Sequence, residues 1–335
     1  MRSIRVTCLP RLVSCPSFRL TYRLTKVAHR IHFEHIRCFS HTPSSKQQVR
    51  DRSDDPSTGQ YPSRSCLVTG GASGIGYEVV KRLLQKGISA VTFTTRDAEK
   101  GEKTIRRIQH DLGAQEVPVK YVRANFSEPD AITELWTALR DDTSNRIPIN
   151  TLINCAGLSQ SKPLIATSTE QVRDILQTNI EAPIQLSRLL LKEYLRFGRQ
   201  LKSHKPHSSD VPAVSFNIIN ISSLLATRSG SGTSVYSASK AALIALTRTL
   251  ALEAAEIRSN YPQLPPFRAN VILPGYIDTP MIEGFSDPYR TQLEKQIPLH
   301  RFGSSAEVAD AVLFLLSNEY ANNTVLNLDG GLSAV

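Results

Sequence analysis

Cysteine is scarce in this sequence, and long apolar segments are missing from it. Five cysteines occur in 335 residues, and three of them lie within the first 39 positions. The other two, Cys66 and Cys155, lack the paired spacing of a zinc site or a disulfide framework. No run approaches the ~18 apolar residues of a membrane-spanning helix. We therefore expect no metal site and no membrane span, and both cysteines are predicted to be small buried hydrophobic residues.

Acidic residues are nearly absent from the first 39 positions. This leader contains seven arginines, Lys26 and one acid, Glu34, so it carries seven of the ten net positive charges. A basic excess confined to a leader does not indicate a nucleic-acid surface elsewhere. An arginine-rich, acid-poor segment with interspersed serine and threonine is typical of a mitochondrial transit peptide. We predict a transit peptide at residues 1–39, ending near the sequence RCFS, and a location in the mitochondrial matrix; a plain basic extension is the alternative.

The remainder divides into a linker and one domain. Residues 40–64 are polar and include SDDPSTGQYPS, which predicts a linker. From residue 65 to 335, apolar runs of strand length alternate with segments of helical spacing, and the length suits one α/β domain. This alternation predicts a parallel sheet with helices on both faces. The expected strands are 65–69, 88–95, 117–124, 149–153, 213–221, 267–273 and 324–328, and the expected helices include 97–113, 128–141, 168–197 and 304–317.

A glycine-rich turn follows the first predicted strand. The sequence GGASGIG stands between that strand and a helical pattern. Glycine permits a tight turn and lets the backbone approach a pyrophosphate at the start of a helix. The spacing of Gly70, Gly74 and Gly76 therefore predicts dinucleotide binding. A phosphate loop of the NTPase kind is disfavoured because no Lys-Ser/Thr pair follows.

The second predicted strand ends without an acidic residue. In dinucleotide-binding folds an acid near this point binds the ribose hydroxyls, whereas an arginine accommodates a 2′-phosphate. Here Thr95 ends the strand and Arg96 follows. We therefore predict a preference for NADP(H) over NAD(H) that depends on Arg96. A surface arginine without a ligand is the alternative.

Three side chains near the middle of the chain suggest proton transfer. Tyr236 and Lys240 stand four apart in YSASK, and Ser223 lies thirteen residues before the tyrosine. On a helix the pair shares one face. A cation beside the phenol and a position in the first helical turn both favour the phenolate, which predicts a lowered Tyr236 pKa. The serine hydroxyl could hold a carbonyl or alcohol oxygen against the tyrosine.

Two regions of the second half are predicted to be irregular. Pro183 lacks the N–H that would bond the Asn179 carbonyl, so that carbonyl is predicted to bind a water; a simple kink is the alternative. Residues 198–212 are polar and are interpreted as an insertion, with solvated His204 and His207. Residues 280–303 are interpreted as a mobile lid, with Pro288 and Pro298 as helix breakers.

Together these motifs resemble the short-chain dehydrogenase/reductase family. TGGASGIG, NCAG, Asn179, Ser223, YSASK, PGYIDT and the closing DGG occur in that family's order over residues 65–335. The resemblance implies one α/β domain with a Rossmann-like, doubly wound parallel sheet of about seven strands and helices on both faces. It also implies assembly into a homotetramer.

The resemblance further implies roles for individual residues. Tyr236 would be the general acid in reduction, and Ser223 would position the substrate oxygen. Lys240 would bind the nicotinamide ribose and lower the tyrosine pKa, while Asn179 would hold a water in the proton relay. Asn125 stands where the family usually has aspartate, but it keeps an acceptor oxygen. The implied cofactor-binding residues are Gly70, Ser73, Gly74, Ile75, Gly76, Arg96, Asn125, Asn154, Ala156, Gly157, Tyr236, Lys240, Pro274, Gly275, Ile277 and Thr279.

Within the family, the leader, the core motifs and the ending VLNLDGGLSAV resemble reductases that act on 3-oxoacyl chains held by an acyl carrier protein. This implies NADPH-dependent reduction of the 3-keto group in mitochondrial type II fatty acid synthesis. A reductase or dehydrogenase for a free steroid, quinone or acyl-CoA is one alternative. A scaffold without catalysis is another, which the intact catalytic residues disfavour. Basic residues are predicted to steer the acidic carrier to the active-site mouth; they are Arg196, Arg199, Lys202, Lys205, Arg248 and Arg258.

Overall fold

The computed structural model describes residues 64–141, 148–203, 215–228 and 230–335, without the side chains of residues 202 and 203. The predicted transit peptide, its RCFS site and almost all of the predicted linker lie outside the described residues, as do His204, Lys205 and His207. Arg64, at the predicted end of the linker, is already buried within the domain.

Seven parallel strands form the central sheet. They are β1 (Ser65–Thr69), β2 (Ala90–Thr95), β3 (Val119–Arg123), β4 (Thr151–Asn154), β5 (Phe216–Ile221), β6 (Phe267–Pro274) and, after a separate pair β7 (Ile277–Asp278) and β8 (Gly303–Ser304), β9 (Val325–Leu328). The spatial order is β3-β2-β1-β4-β5-β6-β9, and every neighbouring pair is parallel. The predicted doubly wound sheet of seven strands is confirmed.

Eight α-helices accompany the strands in the described part of the chain. They are α1 (Gly74–Gln85), α2 (Ala98–Leu112), α3 (Ala131–Asp141), α4 (Thr169–Leu176), α5 (Ala182–Ser203), α6 (Ser234–Asn260), α7 (Asp287–Gln296) and α8 (Ser305–Ser317). A π-helical turn, Gln177–Glu181, joins α4 to α5. The long helical pattern predicted over 168–197 is thus one helical run that changes its hydrogen bonding in the middle.

The sheet is buried on both faces, which explains its continuous apolar strands. Successive side chains of a strand point to opposite faces. Accordingly, Val68 joins a core with α1, α2 and α8, whereas its neighbour Leu67 joins a second core with α3, α5 and α6. These two cores fix the strand ends where the predicted site residues stand.

Two predictions about the second half are wrong. The supposed insertion at 198–212 begins inside α5, which continues to Ser203 because Phe197 and Leu201 still pack against the second core. Pro288 does not break a helix; it lies in the first turn of α7, where a missing N–H costs no helical hydrogen bond. The lid segment is packed onto the domain by a third apolar cluster, which contains Leu224, Ile282, Leu293, Ile297, Phe302 and Leu332.

The described residues offer no helix long and apolar enough to cross a membrane. Nor do they contain three or more His, Cys, Asp or Glu side chains grouped as metal ligands. Cys66 is fully buried, and burial raises the pKa of its thiol to about 12. Cys155 is partly buried, and burial likewise raises its thiol pKa to about 12. Both thiols are therefore neutral and unreactive near pH 7, as expected for hydrophobic residues.

Candidate active site

The predicted site residues gather at one edge of the sheet. Gly70 follows β1, Asn154 ends β4, Ser223 follows β5 and Pro274 ends β6. Because these strands are parallel, their carboxyl ends meet at the same edge, where such sheets bind ligands. Four motifs that are far apart in the sequence thus line one cleft.

The Ser223 hydroxyl lies beside the Tyr236 phenol, where it acts to lower the pKa of that phenol. The Ser223 hydroxyl also accepts a hydrogen bond from the Leu225 amide at 3.1 Å, which fixes its rotamer. Tyr236 is the third residue of α6. The prediction that the tyrosine occupies the first turn of a helix is confirmed.

Lys240 lies one helical turn after Tyr236 and is 4% exposed. Its Nζ donates to the Ile221 carbonyl oxygen at 2.8 Å and lies 5.8 Å from the centre of the Tyr236 ring. The Ser222 hydroxyl donates to the Lys240 carbonyl at 2.7 Å, so strand β5 holds the lysine at both ends. Burial lowers the pKa of the Lys240 ammonium to about 8.

The predicted lowering of the Tyr236 pKa is wrong in direction. Burial raises the pKa of the phenol, and the hydrogen bond from Ser223 offsets that effect only in part. Desolvation penalises the phenolate more than the serine bond stabilises it. The phenol therefore remains protonated at neutral pH, which suits a proton donor.

Both polar atoms of the Asn179 side chain form hydrogen bonds within the protein. Its Oδ1 accepts from the Leu158 amide at 2.7 Å, and its Nδ2 donates to the Leu158 carbonyl at 2.9 Å and to the Ser239 hydroxyl at 3.1 Å. Ser239 in turn donates to the Tyr236 carbonyl at 2.7 Å. Asn179 thus ties the loop after β4 to the first turns of α6. A water on its backbone carbonyl stays a prediction.

The glycine-rich turn is shaped by contacts that exclude a side chain. A Cβ at Gly76 would lie 2.3 Å from the Gly70 carbonyl oxygen, and one at Gly70 would lie 2.9 Å from the Ala156 Cα. Gly70 and Gly74 also have positive φ angles of 67° and 52°. In this part of the chain Ser73 makes no side-chain cap to α1, so the helix N-terminus faces the cleft with open amide groups. A cradle of this shape fits a pyrophosphate.

The NCAG loop forms the floor of the cleft. The Thr69 hydroxyl accepts from the Cys155 and Ala156 amides, each at 3.0 Å, which ties the loop to β1. The Asn154 Nδ2 donates to Asn220 Oδ1 at 2.7 Å, while among the described residues its own buried Oδ1 has no hydrogen-bond partner. A Cβ at Gly157 would lie 3.4 Å from the Lys240 Nζ. Small residues therefore leave the space beside Lys240 open.

The edge predicted to hold the adenosine end carries two arginines. Arg96 is exposed after β2, and its carbonyl accepts from Arg123 Nε at 3.2 Å. Asp97, the nearest acid, caps α2 by accepting from the Glu99 and Lys100 amides. The Asn125 Oδ1 accepts weakly from Ser127, and its Nδ2 donates to Glu128. Sequence reasoning missed Arg123, although its place at the end of β3 was a usable signal.

Ile277 and Thr279 lie across the cleft from the glycine-rich turn. A Cβ at Gly74 would lie 3.3 Å from the Thr279 Cγ2, so the end of β7 closes over the start of α1. Gly275 likewise admits no side chain, since a Cβ there would lie 2.8 Å from the Asp329 Cα. The PGYIDT motif thus contacts the start of α1, and the DGG motif contacts PGYIDT.

Four of the basic residues predicted at the mouth, Arg196, Arg199, Arg248 and Arg258, lie away from Tyr236 within this chain; Lys205 and the side chain of Lys202 are outside the described part. Arg258 is 22 positions after Tyr236, a distance of about 33 Å along a helix. Its Nε donates to the Leu264 carbonyl, and Gly198 of α5 packs against the same Leu264. Arg196 and Arg199 are therefore near the far end of α6, and Arg248 is about 18 Å from Tyr236. The expected position of these four arginines beside the cleft is wrong within one chain, because both helices run away from the cleft for most of their length; their role in steering a carrier stays a prediction.

Comparisons with known proteins agree with this arrangement. A family model of short-chain dehydrogenase type, described as enoyl-(acyl carrier protein) reductase, matches residues 70–333. The chain is 32% identical to "Carbonyl reductase family member 4" of Xenopus laevis over 81% of its length and 98% of that protein. It is 31% identical to "3-oxoacyl-[acyl-carrier-protein] reductase" of Bos taurus over 80% of its length and 97% of that protein. A solved "short chain dehydrogenase/reductase family protein" has a TM-score of 0.64 at 30% identity, with coverage of 81% and 98%.

Proposed function

The chain belongs to the short-chain dehydrogenase/reductase family of oxidoreductases, and from that premise we propose that it uses NADPH to reduce the 3-keto group of 3-oxoacyl chains held by an acyl carrier protein. The observation that carries this proposal is the placement of the Ser223 hydroxyl and the buried Lys240 ammonium beside Tyr236, with the Lys240 Nζ 5.8 Å from the ring centre. That arrangement supplies a neutral proton donor, a second hydroxyl for the same oxygen and a fixed cation.

The residues present fit a nicotinamide dinucleotide phosphate. The open start of α1 and the glycine cradle suit its pyrophosphate, and Arg96 with Arg123 suits a 2′-phosphate. Asn154, Gly157 and Thr279 would border the nicotinamide end. When bound, the cofactor supplies the hydride.

Side chains of the protein transfer the proton to the substrate. Tyr236 donates its phenolic proton to the substrate oxygen, and the Ser223 hydroxyl donates a hydrogen bond to that same oxygen. The Lys240 ammonium, held by the Ile221 carbonyl, stabilises the phenolate that remains. Asn179 and Ser239 keep the backbone of this turn in place.

Two relatives support different substrates. The Bos taurus relative is named for 3-oxoacyl-carrier substrates, and the Xenopus laevis relative is named as a carbonyl reductase. A free small carbonyl compound is therefore the second candidate. Both candidates use the same proton donor, so only the substrate itself separates them.

Kinetics on matched substrates test the proposal. The kcat/KM is measured with NADPH for one acetoacetyl group carried on acyl carrier protein, the same group on coenzyme A, and a quinone. We expect the carrier-bound thioester to have the highest kcat/KM. A quinone preferred over both thioesters would contradict the proposal and favour the carbonyl reductase alternative. Tyr236→Phe is the control for background reduction.

We further propose that the enzyme works in the mitochondrial matrix. The arginine-rich, acid-poor leader supports this location. A fusion of residues 1–39 to a fluorescent protein is expected to reach the matrix, and a cytosolic signal would contradict the proposal.

Assembly into a homotetramer is also proposed. Apolar side chains are exposed on several helices, including Leu176 of α4, Ile184 of α5, Leu252 of α6 and Phe314 of α8. Exposed apolar groups on two sides of the sheet suit two kinds of contact between copies. Analytical ultracentrifugation is expected to give four chains per particle, and a monomer at micromolar concentration would contradict this.

A further inference from the structure

Gln160 makes four hydrogen bonds from a largely buried position near the catalytic tyrosine. Its side chain is 9% exposed. The Oε1 accepts from the backbone amides of Val235 at 2.8 Å and Tyr236 at 3.2 Å. The Nε2 donates to the Lys162 carbonyl at 2.9 Å and to the Thr167 hydroxyl at 3.1 Å. A lone glutamine in the sequence gave no signal for these contacts.

The Oε1 of Gln160 accepts hydrogen bonds from amides that have no acceptor within their own helix. The first amide groups of an α-helix have no partner within the helix. Thr233, at the N-cap position of α6, makes no side-chain capping bond to the helix within the described part of the chain. Gln160 supplies the missing acceptor from a different segment. One of the two amides that it binds belongs to Tyr236 itself.

The donor end holds a compact loop against the same helix. We call residues 160–167 the strap. Within it the Thr167 hydroxyl donates to the Pro163 carbonyl at 3.0 Å, and Leu164 and Ile165 are exposed at the tip. A Cβ at Gly232 would lie 3.7 Å from the Lys162 carbonyl carbon, so the strap sits against the turn that precedes α6. Gln160 therefore connects the strap to the first turn of α6.

We propose that Gln160 is a positioning residue that fixes Tyr236 relative to Ser223 and couples it to the strap. The inference rests on the proposed role of Tyr236 as proton donor. Lys240 and Ser223 are the polar groups beside Tyr236. On the other side of Gln160, Lys162 of the strap and Asp174 of α4 line a cavity of about 170 Å³.

Two substitutions distinguish a positioning role of Gln160 from a contribution to the stability of the fold alone. Gln160→Met keeps the length of the side chain but removes the acceptor and the donor. Because a misplacement of about 1 Å can cost 10²-fold in rate, we expect kcat to fall about 10- to 100-fold, with the KM for NADPH unchanged. Gln160→Glu keeps acceptor oxygens for the two amides, so it should retain more of the native kcat than the methionine variant.

The Gln160→Glu variant should also change the pH dependence of kcat. A carboxylate beside the first turn disfavours the phenolate, so it should raise the pKa of Tyr236. Reduction needs the protonated phenol, and its rate falls as pH rises through that pKa. The falling limb of the kcat profile should therefore move to higher pH. Gln171→Glu is the control, because Gln171 lines the same cavity and a glutamate there keeps the capping box of α4.

The outcomes distinguish this inference from the proposed substrate. Titration of tyrosinate absorbance, measured against Tyr236→Phe, reports the phenol without any substrate. A displaced titration in Gln160→Glu but not in Gln171→Glu supports the inference even if 3-oxoacyl thioesters prove to be poor substrates. Native kcat in Gln160→Met, or an unchanged titration in Gln160→Glu, would overturn it. If the methionine variant does not fold, the glutamate variant alone decides.

Discussion

Lys240 is anchored by Ile221: its ammonium donates to the last carbonyl of β5 at 2.8 Å while lying 5.8 Å from the Tyr236 ring centre. The cation is therefore fixed by the sheet and not by its own helix. Its pKa of about 8 results from burial. The site has a cation near neutral pH that it loses in mildly alkaline solution.

The depressed lysine pKa predicts a pH-dependent stability. In the unfolded chain the lysine titrates near 10.5, and in the folded chain near 8, so between these values the unfolded state binds more protons. The free energy of unfolding should therefore gain roughly 3 kcal/mol from this group as pH rises from about 8 to 10.5. Lys240→Met should lack that gain. Urea unfolding of both proteins across this range measures the difference, and parallel curves would contradict it.

Replacing Tyr236 by phenylalanine should remove the proton donor and keep the ring packing. General acid catalysis contributes about 10²- to 10⁴-fold, so kcat should fall by that factor while NADPH binding stays native. Tyr320→Phe is the matched control, because Tyr320 is 98% exposed after α8. Near-native turnover in Tyr236→Phe would show that another group donates the proton.

Arg96→Ala should change cofactor choice. A hydrogen bond to a charged group contributes about 1.5–3 kcal/mol, so the KM for NADPH should rise about tenfold or more. The KM for NADH should change little, because that cofactor lacks the 2′-phosphate. Arg106→Ala removes an exposed arginine from α2 and is the control. Equal increases for both cofactors would contradict the assignment.

Gly76→Ala should distort the glycine cradle. Alanine favours a helix over glycine by about 1 kcal/mol, yet the added Cβ would lie 2.3 Å from the Gly70 carbonyl oxygen. Overpacking of this kind costs about 1–3 kcal/mol, so we expect net destabilisation and weaker NADPH binding. Gly284→Ala, where a Cβ meets no atom within 4 Å, is the control. Calorimetric binding of NADPH with native affinity to the Gly76 variant would contradict this prediction.

Pro183→Ala tests the water predicted on the Asn179 carbonyl. The alanine N–H could donate to that carbonyl and compete with the water. We expect slower turnover with an unchanged melting temperature. An unchanged kcat would contradict a catalytic role for a water on the Asn179 carbonyl.

The sheet could be predicted because its evidence is local. Most of its strands are short apolar runs bounded by turn residues, and burial on both faces accounts for continuous runs such as SCLVT. The candidate catalytic trio was also predictable, since Tyr236 and Lys240 share a helix and Ser223 follows a strand.

Contacts between distant segments could not be predicted in this way. The four bonds of Gln160 join residues up to 76 positions apart, and the direction of the Tyr236 pKa depends on burial that many segments create. The misplaced docking arginines have a different cause. The lengths of α5 and α6 place Arg199 and Arg258 far from the cleft of their own chain, since a helix rises about 1.5 Å per residue.

The π-helical turn at Gln177–Glu181 has a consequence for how this chain can change. A π turn accommodates one residue more than an α turn, so it absorbs that residue without turning α4 against α5. Deleting a single residue there would restore an ordinary helix and keep α4 and α5 aligned, while the residues within the turn change direction. Asn179 would then leave Leu158 and Ser239, although no residue of the site had been replaced. Sequence length in this short segment is therefore constrained as tightly as residue identity, and insertions or deletions should be tolerated elsewhere in α5 before they are tolerated here.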